Sequence, residues 1–134
     1  MSYTLPTGSH RIPLDEAKAM VLRYNANMDE IINPNLEEEY ILPISETYNK
    51  DAILAYLSKD FVYAIRIYYG MKENKQIHSI IIGVDKDGND ILPKPLIPGQ
   101  PPTGDDEDGE IFEDAQRCPA TCPPPGWPQL TSII

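Results

Sequence analysis

The first clear pattern along the chain is helical. From Pro13 onward, Leu14, Ala17, Val21, Tyr24, Met28 and Ile31 recur at spacings of three and four, which lines one face of an α-helix. Pro13 suits the first turn, where its missing N–H costs nothing, and Asp15 and Glu16 favour the positive end of the helix dipole. The polar run Asn25–Ala26–Asn27 is a place to bend or fray, and Asn33–Pro34–Asn35 ends the helix. A loop with Glu37 to Glu39 then leads into YILPIS, where Pro43 permits only an edge strand or an extended segment. Asn49 is placed to cap a second, shorter helix over residues 50–57, with Ile53, Leu54 and Leu57 facing inward. A helix that short depends on tertiary packing.

After residue 60 the period changes from helical to alternating. In FVYAIRIYYG, the residues Phe61, Tyr63, Ile65, Ile67 and Tyr69 fall on one face of a strand, and Val62, Ala64, Arg66 and Tyr68 on the other. Across the polar connection KENKQ comes IHSIIIGV, apolar almost throughout, as a central strand is. DKDGND supplies turn chemistry, and Ile91–Leu92 is expected to begin a third strand. These elements predict an α+β fold: a small antiparallel meander of three to four strands, with two helices to cover one face.

Composition limits how much of the chain builds that fold. Of its 14 prolines, ten lie between Pro93 and Pro128, so the expected body runs over residues 12–92 of the 134. Residues 1–11 read as an N-terminal arm, 93–110 as a proline-rich acidic linker or loop, and 111–134 as a Cys/Pro-rich tail that packs on the domain or a partner. Residues 99–110 contain nothing that serves a core and are expected to be dispensable for folding. IFEDAQ, in contrast, offers Ile111 and Phe112 for a short strand or helical turn that rejoins the body. The net charge of −10 is uneven: seven acids lie between Pro95 and Gln116, leaving 14 acids against 11 bases elsewhere. Nucleic-acid binding needs clustered positive charge, and none is present. No run approaches the roughly 20 apolar residues that span a bilayer, and MSYTLPTGSHRIP has no signal-peptide pattern. The expected location is cytoplasmic, where thiols are normally kept reduced.

Two stretches carry a resemblance. The run RIYYGMKENKQIHSIIIGVDKDGNDIL and the later DAQRCPATCPPP are similar to a family of uncharacterised small proteins from Bacteroidetes, which share an RIYYGM-like strand, an acidic stretch and an RCPPxCP-like ending. The likeness extends from the first helix to Pro125 and departs from the usual ending at Ala120, where a second proline is common. It implies no activity, cofactor or catalytic residue.

Candidate chemistry is sparse. Cys118 and Cys122 form C-x3-C, not C-x-x-C, and no helix follows to lower a thiol pKa. With only His10 and His78 available, a Cys2His2 zinc site on Cys118 and Cys122 would need every candidate ligand in the chain, and His78 shares a strand face with Ile80 and Ile82, where a packed, hydrogen-bonded histidine is the commoner case. A Cys118–Cys122 disulfide is sterically possible but closes a very short ring that constrains little beyond its own loop. The favoured expectation is two reduced, structural thiols packed under Trp127. Neither acidic turn fits a calcium loop: aligning Gly109 with the loop glycine puts Gly104 first and Ala115 twelfth, and aligning Gly88 puts Gly83 first and Lys94 twelfth. His78 and Ser79 are strand neighbours that point to opposite faces and make no nucleophile–base pair. Arg66 and Tyr68 share a strand face with anion-binding chemistry, against which stands the plainer role of an arginine packed over aromatic rings.

What remains is surface. Eight tyrosines against two phenylalanines favour patches that are wet in one state and buried in another. Tyr63, Tyr68 and Tyr69, with Trp127, Leu130, Ile133 and Ile134 of the tail, form the expected interface of a non-catalytic interaction or structural module. The expected partner is protein, the chain itself first, with no cofactor. The alternative is a thiol redox or metal-binding module built on Cys118 and Cys122.

Overall fold

A computed structural model describes residues 3–93, 99, 105–106, 109–119 and 122. The chain divides into two interleaved units. One holds Met1–Thr7, Tyr48–Gly70 and His78–Ala115; the other holds Gly8–Thr47, Met71–Ile77 and the segment from Gln116. Among the described residues, the elements are two α-helices and short antiparallel strands, an α+β fold.

The second unit contains helix α1 (Leu14–Ile31), a 3₁₀ turn (Pro34–Glu39) and strand β1 (Ser45–Thr47). α1 follows its apolar periodicity from the residue after Pro13, yet none of its residues is fully buried, and Leu14 and Ile31 at its two ends are exposed. The loop expected after α1 winds into the 3₁₀ turn because the Asn33 side chain accepts the Asn35 N–H at 3.0 Å and Pro34 pre-sets the first turn. Tyr40 ends that turn in the left-handed region, at φ 54°.

In the first unit, helix α2 (Lys50–Leu57) starts at Asn49, whose side chain accepts the Ala52 N–H at 2.9 Å. Ile53 and Leu57 turn inward as the spacing predicts, but Leu54 does not: it is 51% exposed, and Tyr56, at 1%, fills the core. Two residues are about 200° of helix rotation, so the face that buries Tyr56 turns Leu54 outward. The Tyr56 ring lies over Gly83, where a Cβ would come within 2.7 Å of it, and packs against Phe61 and Phe112 at centroid distances of 6.3 and 5.7 Å. Burying a ring of this size contributes on the order of 2–3 kcal/mol.

Strands β2 (Ala64–Met71), β3 (Ile77–Val84), β4 (Asp105–Asp106) and β5 (Gly109–Phe112) form one sheet in the order β2-β3-β5-β4. β3 is central, as its apolar run predicts, and joins β2 through a connection too short for anything but a hairpin. The third strand is not where the sequence suggests. Among the described residues directly after β3, Asp90 makes a single bridge back to Val84; Ile91 gives its N–H to Gly83 O at 2.9 Å, and Leu92 is exposed. The place beside β3 goes to β5, with Ile81 opposite Phe112 and Ile82 opposite Ile111. The stretch read as a linker over 93–110 therefore supplies β4 and the start of β5. Gly109 packs so closely on the Leu92–Pro93 backbone that a Cβ would sit 2.5 Å from it. Finally, strand β6 (Gln116–Cys118) belongs to the second unit and pairs with β1, Ser45 opposite Cys118 and Thr47 opposite Gln116.

Candidate functional site

Three places in the molecule concentrate side chains that the sequence singles out. The first is the outer row of β2. The odd positions of β3 face α2: Gly83 lies under Tyr56, Ile81 faces Phe112 across the sheet, and Tyr48 Oη donates to Ser79 O at 2.9 Å. A Cβ on Gly70 would meet Ile80, so even positions of β2 and β3 share one face and odd positions the other. Ile65, Ile67 and Tyr69 thus lie on the face that α2 covers, but α2 is eight residues, about 12 Å, and its ring reaches β3 and β5 rather than β2. The row is left open: Tyr63 is 59% exposed, Ile65 45%, Ile67 47% and Tyr69 78%. Among the described strands β2 is also an edge of the sheet.

Tyr68 points the other way, into the second place. There Arg66 pairs with the Asp90 carboxylate, Tyr68 Oη donates to the same carboxylate, and Arg66 Nη2 donates to Gly88 O at 3.2 Å. The guanidinium lies 5.6 Å from the centre of the Tyr3 ring. Hydrogen bonding to Tyr3, then to Asp90, holds the Arg66 pKa above its ordinary value, and the Asp90 bond raises that of Tyr68. The anion-binding chemistry of Arg66 and Tyr68 is already answered within the chain, by Asp90. On the same sheet, buried His78 has its Nδ1 3.0 Å from Glu113 Oε1, while Ser79 Oγ lies 2.9 Å from Tyr48 Oη. The neighbours His78 and Ser79 therefore engage different partners, as opposite-facing strand residues must.

The third place is the cysteine corner of the second unit. Cys118 and Cys122 are not thiols: they are joined by a disulfide, with Cα atoms 4.6 Å apart. The expectation of reduced cysteines fails because a proline-bent C-x3-C loop brings the two sulfurs within bonding distance. Cys118 is fully buried at the end of β6, and Ile44 donates to its carbonyl at 2.7 Å. The zinc reading loses its ligands with the thiolates, since a cystine offers none. Among the described residues no group of three His, Cys, Asp or Glu side chains is placed to hold a metal ion.

Arg117 fastens the same corner. Its Nη2 donates to Ile41 O at 2.8 Å and to Ile77 O at 3.2 Å, and burial lowers its pKa, opposed by Glu46 and Tyr24. Tyr24 Oη donates to Pro43 O at 2.7 Å, and burial raises its pKa against the pull of Arg117. Beside this framework opens a crevice of about 140 Å³, lined mainly by Met28, Ile32, Leu36, Tyr40, Ile44 and Pro119. Trp127, Leu130, Ile133 and Ile134 lie outside the described residues.

The sequence names Tyr63 and Tyr69 as surface and places Ile65 and Ile67 on the same strand face without assigning them to the surface, because alternation shows which residues share a face and not whether anything covers it. The brevity of α2 was the available signal. Nothing in DKDGND beyond turn chemistry marked Asp90 as the partner of Arg66, and the crevice has no signature in the chain. No helix among the described residues is long and apolar enough to cross a membrane. The class defined by these features is a small α+β protein with an open apolar sheet edge. No protein-family model, curated protein or solved structure matches the chain.

Proposed function

We propose that the protein is a non-catalytic interaction module that associates with a second copy of itself through the outer row of β2. The observation that carries this reading is the run Ile65, Ile67 and Tyr69 on β2, an edge among the described strands, with Tyr63 just before it, all four exposed. An edge strand offers unpaired N–H and C=O groups beside its side chains, so a second β2 extends the sheet while the two apolar rows cover each other. A two-fold arrangement needs only one self-complementary patch. Charge does not oppose contact at the row itself: none of its four residues is charged, and Arg66 on the opposite face is paired with Asp90. Mass in solution tests the proposal. The wild-type chain is expected to be dimeric in the micromolar range, and Ile67→Lys or Tyr69→Lys to be monomeric with an unchanged circular dichroism spectrum. A monomeric wild type ends this reading.

The Cys118–Cys122 bond favours a second reading, a thiol redox module. Its reduction potential separates the two. A value well below about −300 mV marks a structural bond, and one near the glutathione couple supports redox exchange.

A further inference from the structure

We infer that the crevice in the second unit is the docking site for the chain's own C-terminal segment, residues 123–134, with Trp127 as the side chain that fills it.

Size selects the occupant. The crevice measures about 140 Å³, and an apolar cavity of about 150 Å³ accepts a benzene ring. A space of that size takes one large side chain at a time. Its lining is mostly apolar, from Met28 and Ile32 at the end of α1, Leu36 in the 3₁₀ turn, and Ile44 and Pro119 at the cysteine corner. The segment 123–134, PPPGWPQLTSII, has no charged side chain and carries the only tryptophan of the protein. Tyr40 stands at the same crevice with its backbone in the left-handed region, a conformation that side chains other than glycine adopt at a cost.

Position selects the chain. The disulfide holds the Cα of Cys122 4.6 Å from that of Cys118, the residue before Pro119 in the crevice wall. Cys122, after which the segment begins, is thus held close to the crevice wall. From Cys122 to Trp127 is five residues, which as extended proline-rich chain span about 15 Å. Pro123, Pro124 and Pro125 restrict the unbound segment, which lowers the entropy lost on docking. A tether this short gives an effective concentration in the millimolar range, above that of an untethered peptide competitor. This docking does not depend on self-association through β2.

Because Trp127 is unique, its fluorescence reads the docking directly in the full-length protein. The expected result is a blue-shifted emission, quenched by acrylamide several-fold less efficiently than in the same chain unfolded in guanidinium. The protection is expected to vanish in Leu36→Glu and to survive both Tyr69→Lys and dilution. Circular dichroism monitors the fold; if Leu36→Glu loses its helix signal, Met28→Ala carries the test, since alanine keeps the helix and removes the wall. A Trp127 as quenchable in the native protein as in the unfolded chain overturns the proposal. Protection that persists in a folded crevice variant overturns it too, because the tryptophan then docks elsewhere. Protection lost on dilution reassigns the segment to the crevice of a second copy and overturns the intramolecular assignment. Loss of protection in Tyr69→Lys alone transfers it to the β2 row.

Discussion

Gly88 carries two constraints at once. Its φ of 88° lies where residues with a side chain are strained, and a Cβ there would come within 2.2 Å of the Tyr3 ring edge. Alanine at this position costs about 1–2 kcal/mol for the left-handed backbone alone, before Tyr3 is displaced from its place beside Arg66. Gly88→Ala is expected to lower the melting temperature by about 5 °C or more. Three residues earlier, Asp85 accepts the N–H groups of Asn89 and Asp87, each at 2.9 Å. The Asn89 bond, ahead of that from Asp87, holds its pKa below the ordinary 3.8. A carboxylate depressed on folding stabilises the fold above its unfolded pKa, and the contribution is lost as pH falls through the folded value. Melting temperature measured against pH is therefore expected to drop below about pH 4, and to drop less steeply in Asp85→Asn, which keeps an acceptor oxygen but does not titrate.

At the scale of elements, β4 and β5 change what the acidic stretch is for. A segment with no core-forming side chain nonetheless supplies backbone: Asp105 pairs with Glu110 and Asp106 with Gly109, and Gly109 is buried against Leu92–Pro93. Replacing residues 105–110 with a Gly/Ser linker is expected to lower the melting temperature clearly, whereas the sequence alone argues for no effect. Elements with a sustained period were legible. The 18 residues of α1 and the eight-residue strands β2 and β3 show several repeats each, so chance alternation is averaged out. β1, β5 and β6 are three or four residues long and have no period to show. Their pairing joins residues far apart in the chain, Ser45 with Cys118 and Ile82 with Ile111, which local patterning does not encode. The candidate site was legible by residue type and not by exposure. Tyr63 and Tyr69 could be named from composition, but that their row stands open depends on where a short helix stops.

For the molecule as a whole, the decisive fact is how the chain is shared between its units. Each unit is assembled from three separate stretches, and the chain passes between them at residues 7/8, 47/48, 70/71, 77/78 and 115/116. Neither can be excised by cutting once. The late segment 109–118 completes both: β5 closes on β3 in one unit, and β6 closes on β1 in the other, with Arg117 gathering Ile41 and Ile77. Proteins with contiguous domains fold them one after another as synthesis proceeds. Here a nascent chain that has delivered both helices and the β2–β3 hairpin still lacks a partner strand for each sheet. The free edge of β3 and the whole of β1 therefore stay unpaired until residues 109–118 have been made, so neither sheet is complete before that one segment arrives.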